Sequence, residues 1–109
     1  MALMLTLLLA AASPAPSPCA LEVRFGSYAM GIDRAAAARI EALVAADKAV
    51  RGVRRIGEGR EGEYALCVTA ASPRALAPLS RRIRGAIPKT PRGPIVVLHS
   101  GTEFRAPAQ

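Results

Sequence analysis

The sequence predicts an α+β domain of four strands and two helices, on three observations. The runs Leu21 to Phe25 and Tyr64 to Thr69 place apolar residues at the period of a strand, and residues 94–99 form one more apolar run between turn residues. Two segments, after Asp33 and after Ser72, carry apolar residues at helical spacing instead. Between them lies the stretch 50–70, read as two strands joined by a turn that Gly57, Gly59 and Gly62 punctuate. The order along the chain is strand, helix, strand, strand, helix, strand.

Residues 1–12 are apolar, too short a run to span a bilayer, and fit the hydrophobic region of a secretory signal peptide. Ala10-Ala11-Ala12 offers a small-residue cleavage site, although no Lys or Arg precedes the apolar run. The Pro-rich segment 13–18 then separates it from the body. The expected division is a signal peptide and linker over 1–18, one domain over 19–105, and a tail over 106–109. Export to the periplasm or the extracellular space follows from that division. The alternative is a membrane-anchored lipoprotein with Cys19 as the lipidated residue. Against it, Pro16 and Pro18 occupy positions where a lipidation signal carries a Leu-like and a small residue.

In the first strand Leu21, Val23 and Phe25 point inward and Glu22 and Arg24 outward. Residues 26–31 form a loop. Asp33 is placed to cap a helix running to about Ala49, with Ala36, Ala37, Ile40, Leu43 and Val44 as its apolar stripe and Arg34, Arg39, Glu41 and Lys48 on its wet side. Ser72-Pro73 has the cap-then-proline signature of a second helix start. Pro78 inside that segment requires a kink or a true start near Ala77. Leu76, Leu79, Ile83 and Ile87 share a stripe. After the last strand, Ser100-Gly101 turns and the chain from Arg105 is expected to be loose. The element order is that of the ferredoxin-like split βαβ fold, with the strands in the order 4-1-3-2, both helices on one face and the other face open. No internal repeat is visible.

Composition bounds the rest. The chain has 109 residues, room for one domain, and only 4% of them are aromatic with no Trp, so the core is built from Ala, Val, Leu and Ile. The formal net charge of +7 is carried mostly by arginine. The arginines are dispersed rather than blocked together, which favours compositional bias over attraction to nucleic acid or an anionic envelope surface. Arg54-Arg55 and Arg81-Arg82 with Arg84 are the local clusters, and they make the candidate anion-binding set.

The chemistry-bearing motifs are few. Gly57-Glu58-Gly59-Arg60-Glu61-Gly62 matches the dinucleotide glycine pattern in letters only, because a strand rather than a helix follows and its two glutamates repel phosphate. Cys19 and Cys67 are the only cysteines and are expected to form a disulfide, since the first and third strands are antiparallel neighbours in this fold. Their parity is an objection: Cys67 lies on the face opposite Leu66 and Val68, whereas Cys19 extends the Leu21 series. His99 is the sole histidine, so no metal or catalytic cluster forms around it. No serine has nucleophile-elbow context.

The loop 26–31 with the residue that follows it into the helix, Ser27, Tyr28, Met30 and Asp33, is the candidate binding loop. A superficial similarity to ferredoxin-like copper chaperones, in Met30 and the Ala38-Arg39-Ile40-Glu41-Ala42-Leu43 helix, lacks their paired loop cysteines, and the Asn that acylphosphatases need is absent. The expected function is therefore non-enzymatic: an interaction module for a protein partner in the cell envelope, using the open sheet face or edge strands 2 and 4. Propeptide-like inhibitor modules share this architecture. The alternative is a cationic binder of anionic polymer, nucleic acid or lipid. Nucleic acid is disfavoured by export and by the lack of aromatics on the open face, and a membrane partner applies only if Cys19 is lipidated. No cofactor is expected.

Overall fold

The computed structural model describes residues 19–57 and 59–108. The expected signal peptide and linker over 1–18 lie outside the described residues, as does Glu58. The chain forms β1 (Leu21–Phe25), α1 (Arg34–Ala46), β2 (Gly52–Ile56), β3 (Tyr64–Thr69), a 3-10 turn (Pro73–Leu76), α2 (Ala77–Ala86), β4 (Ile95–His99) and β5 (Thr102–Ala106). The strands make one antiparallel sheet in the order β2-β3-β1-β4-β5.

The sheet thus has five strands, not four. The segment expected to turn and then fray is a hairpin arm, and Ala106, assigned to a tail, is buried. Ser100 and Gly101 both take positive φ (51° and 77°), the geometry of a two-residue turn whose twist matches that of the strands it joins. Thr102-Glu103-Phe104-Arg105-Ala106 then alternates, with Phe104 packed against the core and Glu103 and Arg105 paired on the other face (2.9 Å). The edges of the sheet are β2 and β5, so β4 is an internal strand.

β1 is hydrogen-bonded on both sides, and its inward residues Leu21, Val23 and Phe25 are at most 2% exposed. They share one core with Leu66, Val68, Ile95 and Val97 of the sheet, with Ile40 and Val44 of α1 and with Leu79 and Ile83 of α2. Ala36 and Ala37, both buried, bring α1 close to the sheet without large side chains. The opposite face presents Arg54, Glu22, Arg24, Glu103 and Arg105 by strand parity.

Both helix boundaries have local causes. α1 stops at Ala46, three residues short of the expected end, because Asp47 leaves helical geometry. The Asp47 carboxylate accepts the Ala49 N–H (2.9 Å) and pairs with Arg82 (2.6 Å), which turns the chain toward β2 and ties α1 to α2. Pro78 is accommodated because α2 begins at Ala77: in the first turn no N–H partner is lost. Ser72 precedes the 3-10 turn without making a side-chain capping bond.

Cys19 and Cys67 are joined, with Cα atoms 5.1 Å apart. Continuing the β1–β3 register would set Cys19 opposite Ala70, three residues and about 10 Å along the strand from Cys67. The chain instead bends at Ala20, whose N–H still reaches the Val68 carbonyl (2.8 Å). That bend folds Cys19 across the outer face and removes the parity objection. The bond uses the sulfur that lipidation would require. Among the described residues no helix is long and apolar enough to cross a membrane.

The disulfide spans a sequence separation of 48 residues. Replacing both cysteines by serine is expected to lower unfolding free energy by about 4 kcal/mol on chain-entropy grounds, read from urea unfolding with a steeper slope because the denatured chain is released from its cross-link.

Candidate functional site

The loop from β1 to α1 is built by short-range hydrogen bonds. Gly26 donates to the Pro94 carbonyl (2.8 Å), and Gly93 must lack a side chain because a Cβ there would collide with the Gly26 carbonyl. Ser27 Oγ accepts the N–H groups of Ala29 and Gly31, both at 2.9 Å. Ala29 is held at φ 92°, a left-handed value that alanine rarely adopts. On this braced loop Tyr28 and Met30 stand out, 56% and 92% exposed.

Asp33 closes the loop. Its Oδ1 accepts the Ala36 N–H (3.0 Å), capping α1, and its Oδ2 accepts the Arg92 N–H (3.0 Å), fastening the segment before β4. The Arg92 N–H contributes most to holding the carboxyl below its ordinary range. Burial works against it, and the Ala36 N–H and the charges of Arg39 and Arg92 reinforce it. The four loop residues thus divide: Ser27 and Asp33 are structural, whereas Tyr28 and Met30 present surface.

A second constellation lies beside the loop, where α1 overhangs the β2–β3 hairpin. Arg55 pairs across the sheet with Leu66, so strand parity places it on the helix side. There its guanidinium bonds both carboxylate oxygens of Glu41 (3.0 and 3.3 Å) and stacks over the Tyr64 ring, 4.3 Å from its centroid. Tyr64 donates its hydroxyl hydrogen to Glu41 Oε2, and its ring packs on Phe25 with centroids 5.0 Å apart. Around the three lies an open cleft of about 380 Å³, lined also by Ile32, Arg34, Ala38 and Glu61. Burial and the Glu41 carboxylate push the Tyr64 hydroxyl up to about 12 while Arg55 pulls it back. Tyr64 therefore keeps its proton through the neutral range and serves the cleft as a hydrogen-bond donor, not as a base.

The five arginines of the anion-binding set do not share one face. Arg54 faces the outer side of the sheet, Arg55 is committed to Glu41, and Arg82 to Asp47. Arg81 and Arg84 remain exposed on α2. His99 Nε2 lies 2.8 Å from the Pro73 carbonyl and donates to it, joining the end of β4 to the 3-10 turn. Among the described residues no group of three His, Cys, Asp or Glu side chains is placed to hold a metal ion.

Glu41 was legible only as a solvent-facing helix residue, and Arg55 only as half of a cationic pair. The signal that would have joined them is hairpin parity: once Tyr64, Leu66 and Val68 face inward, the register sets Arg55 inward with them. Comparison with family models, curated proteins and solved structures finds no significant match for the chain.

Replacing Asp33 by alanine is expected to cost about 2 kcal/mol, since a cap and a loop acceptor disappear together. The lowered carboxyl of Asp33 contributes stability that is present above its unfolded value of 3.8 and lost as pH falls. The variant should accordingly show a shallower loss of melting temperature in acid than the parent. In a Tyr28→Phe background, leaving Tyr64 as the only tyrosine, phenolate absorbance should titrate near pH 12, and Glu41→Gln should move that midpoint toward 10. Because the folded state holds this proton more tightly, its stabilising contribution is complete below pH 10 and lost as pH rises to about 12.

Proposed function

We propose that the protein is an exported, non-enzymatic interaction module, a ferredoxin-like unit lengthened by β5, that takes an extended segment of a partner protein along the edge of β2. The observation that carries this reading is the pairing of an unpartnered strand edge with a cleft beside it. β2 bonds only to β3, so its outer edge offers backbone N–H and C=O groups for strand addition. Side chains of an added strand that point to the helix side would enter the space along α1. There Arg34, Ala38, Glu41 and Ala45 fall on one flank at helical spacing, and the small Ala38 leaves room. Val53, 48% exposed on β2, adds an apolar contact.

Charge selects the partner's character. Arg51, Arg54 and Arg60 lie on or beside β2, and among the described residues Arg54 makes no ion pair, so a segment carrying Asp or Glu complements this edge. Export supports the reading through the Cys19–Cys67 bond, which an oxidising compartment sustains and which favours a soluble domain over a lipid anchor at Cys19.

Selection from a displayed library of extended peptides, followed by amide chemical-shift mapping on the disulfide-bonded protein, tests the proposal. The expected result is enrichment of acidic β-prone peptides whose binding perturbs 52–56 and the Glu41–Tyr64–Arg55 cleft and survives moderate salt. Binding that collapses steeply with salt and maps to Arg81 and Arg84 would instead support a cationic binder of anionic polymers. Failure to enrich any peptide at β2 would overturn the proposal.

A further inference from the structure

The other edge, β5, is charged in a self-complementary way. Thr102-Glu103-Phe104-Arg105-Ala106 sets one acid and one base symmetrically about an aromatic residue. The positive φ angles at Ser100 and Gly101 close the hairpin with His99 and Thr102 as a mutually hydrogen-bonded pair. Alternation from that pair aims the backbone groups of Thr102, Phe104 and Ala106 at β4. Those of Glu103 and Arg105 point away from the sheet, toward whatever lies beyond the edge.

A second copy of the chain fits there under a narrow symmetry rule. A twofold axis normal to the sheet makes two β5 strands antiparallel and opposes only residues of equal parity. Centring the axis on Glu103 sets that glutamate against its own copy, and centring it on Arg105 does the same for the arginine; each is repulsive. Centring it on Phe104 places Glu103 opposite the partner's Arg105 and Arg105 opposite the partner's Glu103. In that register the outward backbone groups form two hydrogen-bonded pairs. The two Phe104 side chains meet at the non-hydrogen-bonded position between them, where cross-strand side chains approach most closely.

We propose that the protein is a homodimer in which two β5 edges pair antiparallel about Phe104, joining two five-stranded sheets into one. Phe104 supports this placement: it is only half-buried, at the mouth of a cleft of about 150 Å³ between α2 and the β4–β5 hairpin, and the partner's Phe104 covers it. β2 fails the same test in its three central registers. An axis on Arg54 or Arg55 sets that arginine against its copy, and an axis on Val53 opposes Arg51 and the partner's Arg55. Pairing centred on the strand is therefore favoured at β5 over β2, and the two β2 edges remain at the far ends of the joined sheet. This inference stands independently of any partner at β2.

Sedimentation velocity of the disulfide-bonded protein over a wide concentration range should show a monomer–dimer equilibrium. Glu103→Arg and Arg105→Glu should each lose the dimer, since each creates two like-charged pairs across the interface. The two variants mixed should form a heterodimer, because each supplies the charge the other lacks, and this also establishes that both are folded. The exchanged double variant E103R/R105E should dimerise again. A parent that stays monomeric throughout overturns the proposal. So does a dimer that survives both single charge reversals, or two folded single variants that fail to associate when mixed.

Discussion

Everything in this fold leans on β1. It is the one strand with bonded neighbours that come from distant parts of the sequence on both sides: β3 forty residues on, and β4 beyond α2. Its five residues therefore bring both halves of the chain together, and Leu21, Val23 and Phe25 supply the floor on which both helices rest. A core with so few aromatic side chains has little apolar area per residue to spare. Fixing the start of β1 is correspondingly valuable, and the disulfide does so at Cys19, with the Ala20 N–H bonded to the same neighbouring strand.

The same strand sets the geometry of the surface loop that follows it. Gly26 leaves β1 under the Pro94 carbonyl, Gly93 makes the close approach there, and Asp33 ties the far end of the loop to both α1 and Arg92. The loop is thus anchored to β1, to α1 and to the entry of β4, which is how Met30 can be almost fully exposed on a chain that is otherwise braced at nearly every second residue. Exposure on a braced loop costs less ordering entropy on binding than exposure on a free one.

Most of the architecture was legible from periodicity. Alternation identified β1 and β3, apolar runs identified β4, and glycines located the β2–β3 turn. β5 was not legible, because Ser100-Gly101 resembles an ordinary turn and the five residues after it hold one large apolar side chain, Phe104. Only a hairpin turn of the right hand makes a strand of such a run, and that depends on positive φ at a serine. The disulfide was visible from cysteine count but not from parity, since a single bend at Ala20 reverses which face Cys19 meets. Within the site, Asp33 as a cap followed from a local rule, whereas the Glu41–Tyr64–Arg55 cluster joins α1, β3 and β2 and has no local signature at all.

The charges of the two edges follow a division of labour that neither edge alone would disclose. Open sheet edges invite unwanted pairing, and proteins commonly block them with charge. On β2 the blocking charge is of one sign, so it disfavours a second copy in the central registers while attracting a segment of opposite sign. On β5 the charges alternate, and Glu103 neutralises Arg105 within the strand, so exclusion there is weak and register-dependent. A chain with a surplus of arginine had the residues to guard both edges in the same way. Guarding β5 with one more arginine in place of Glu103 would have closed it. The acid at that position leaves the edge open to one register of one partner.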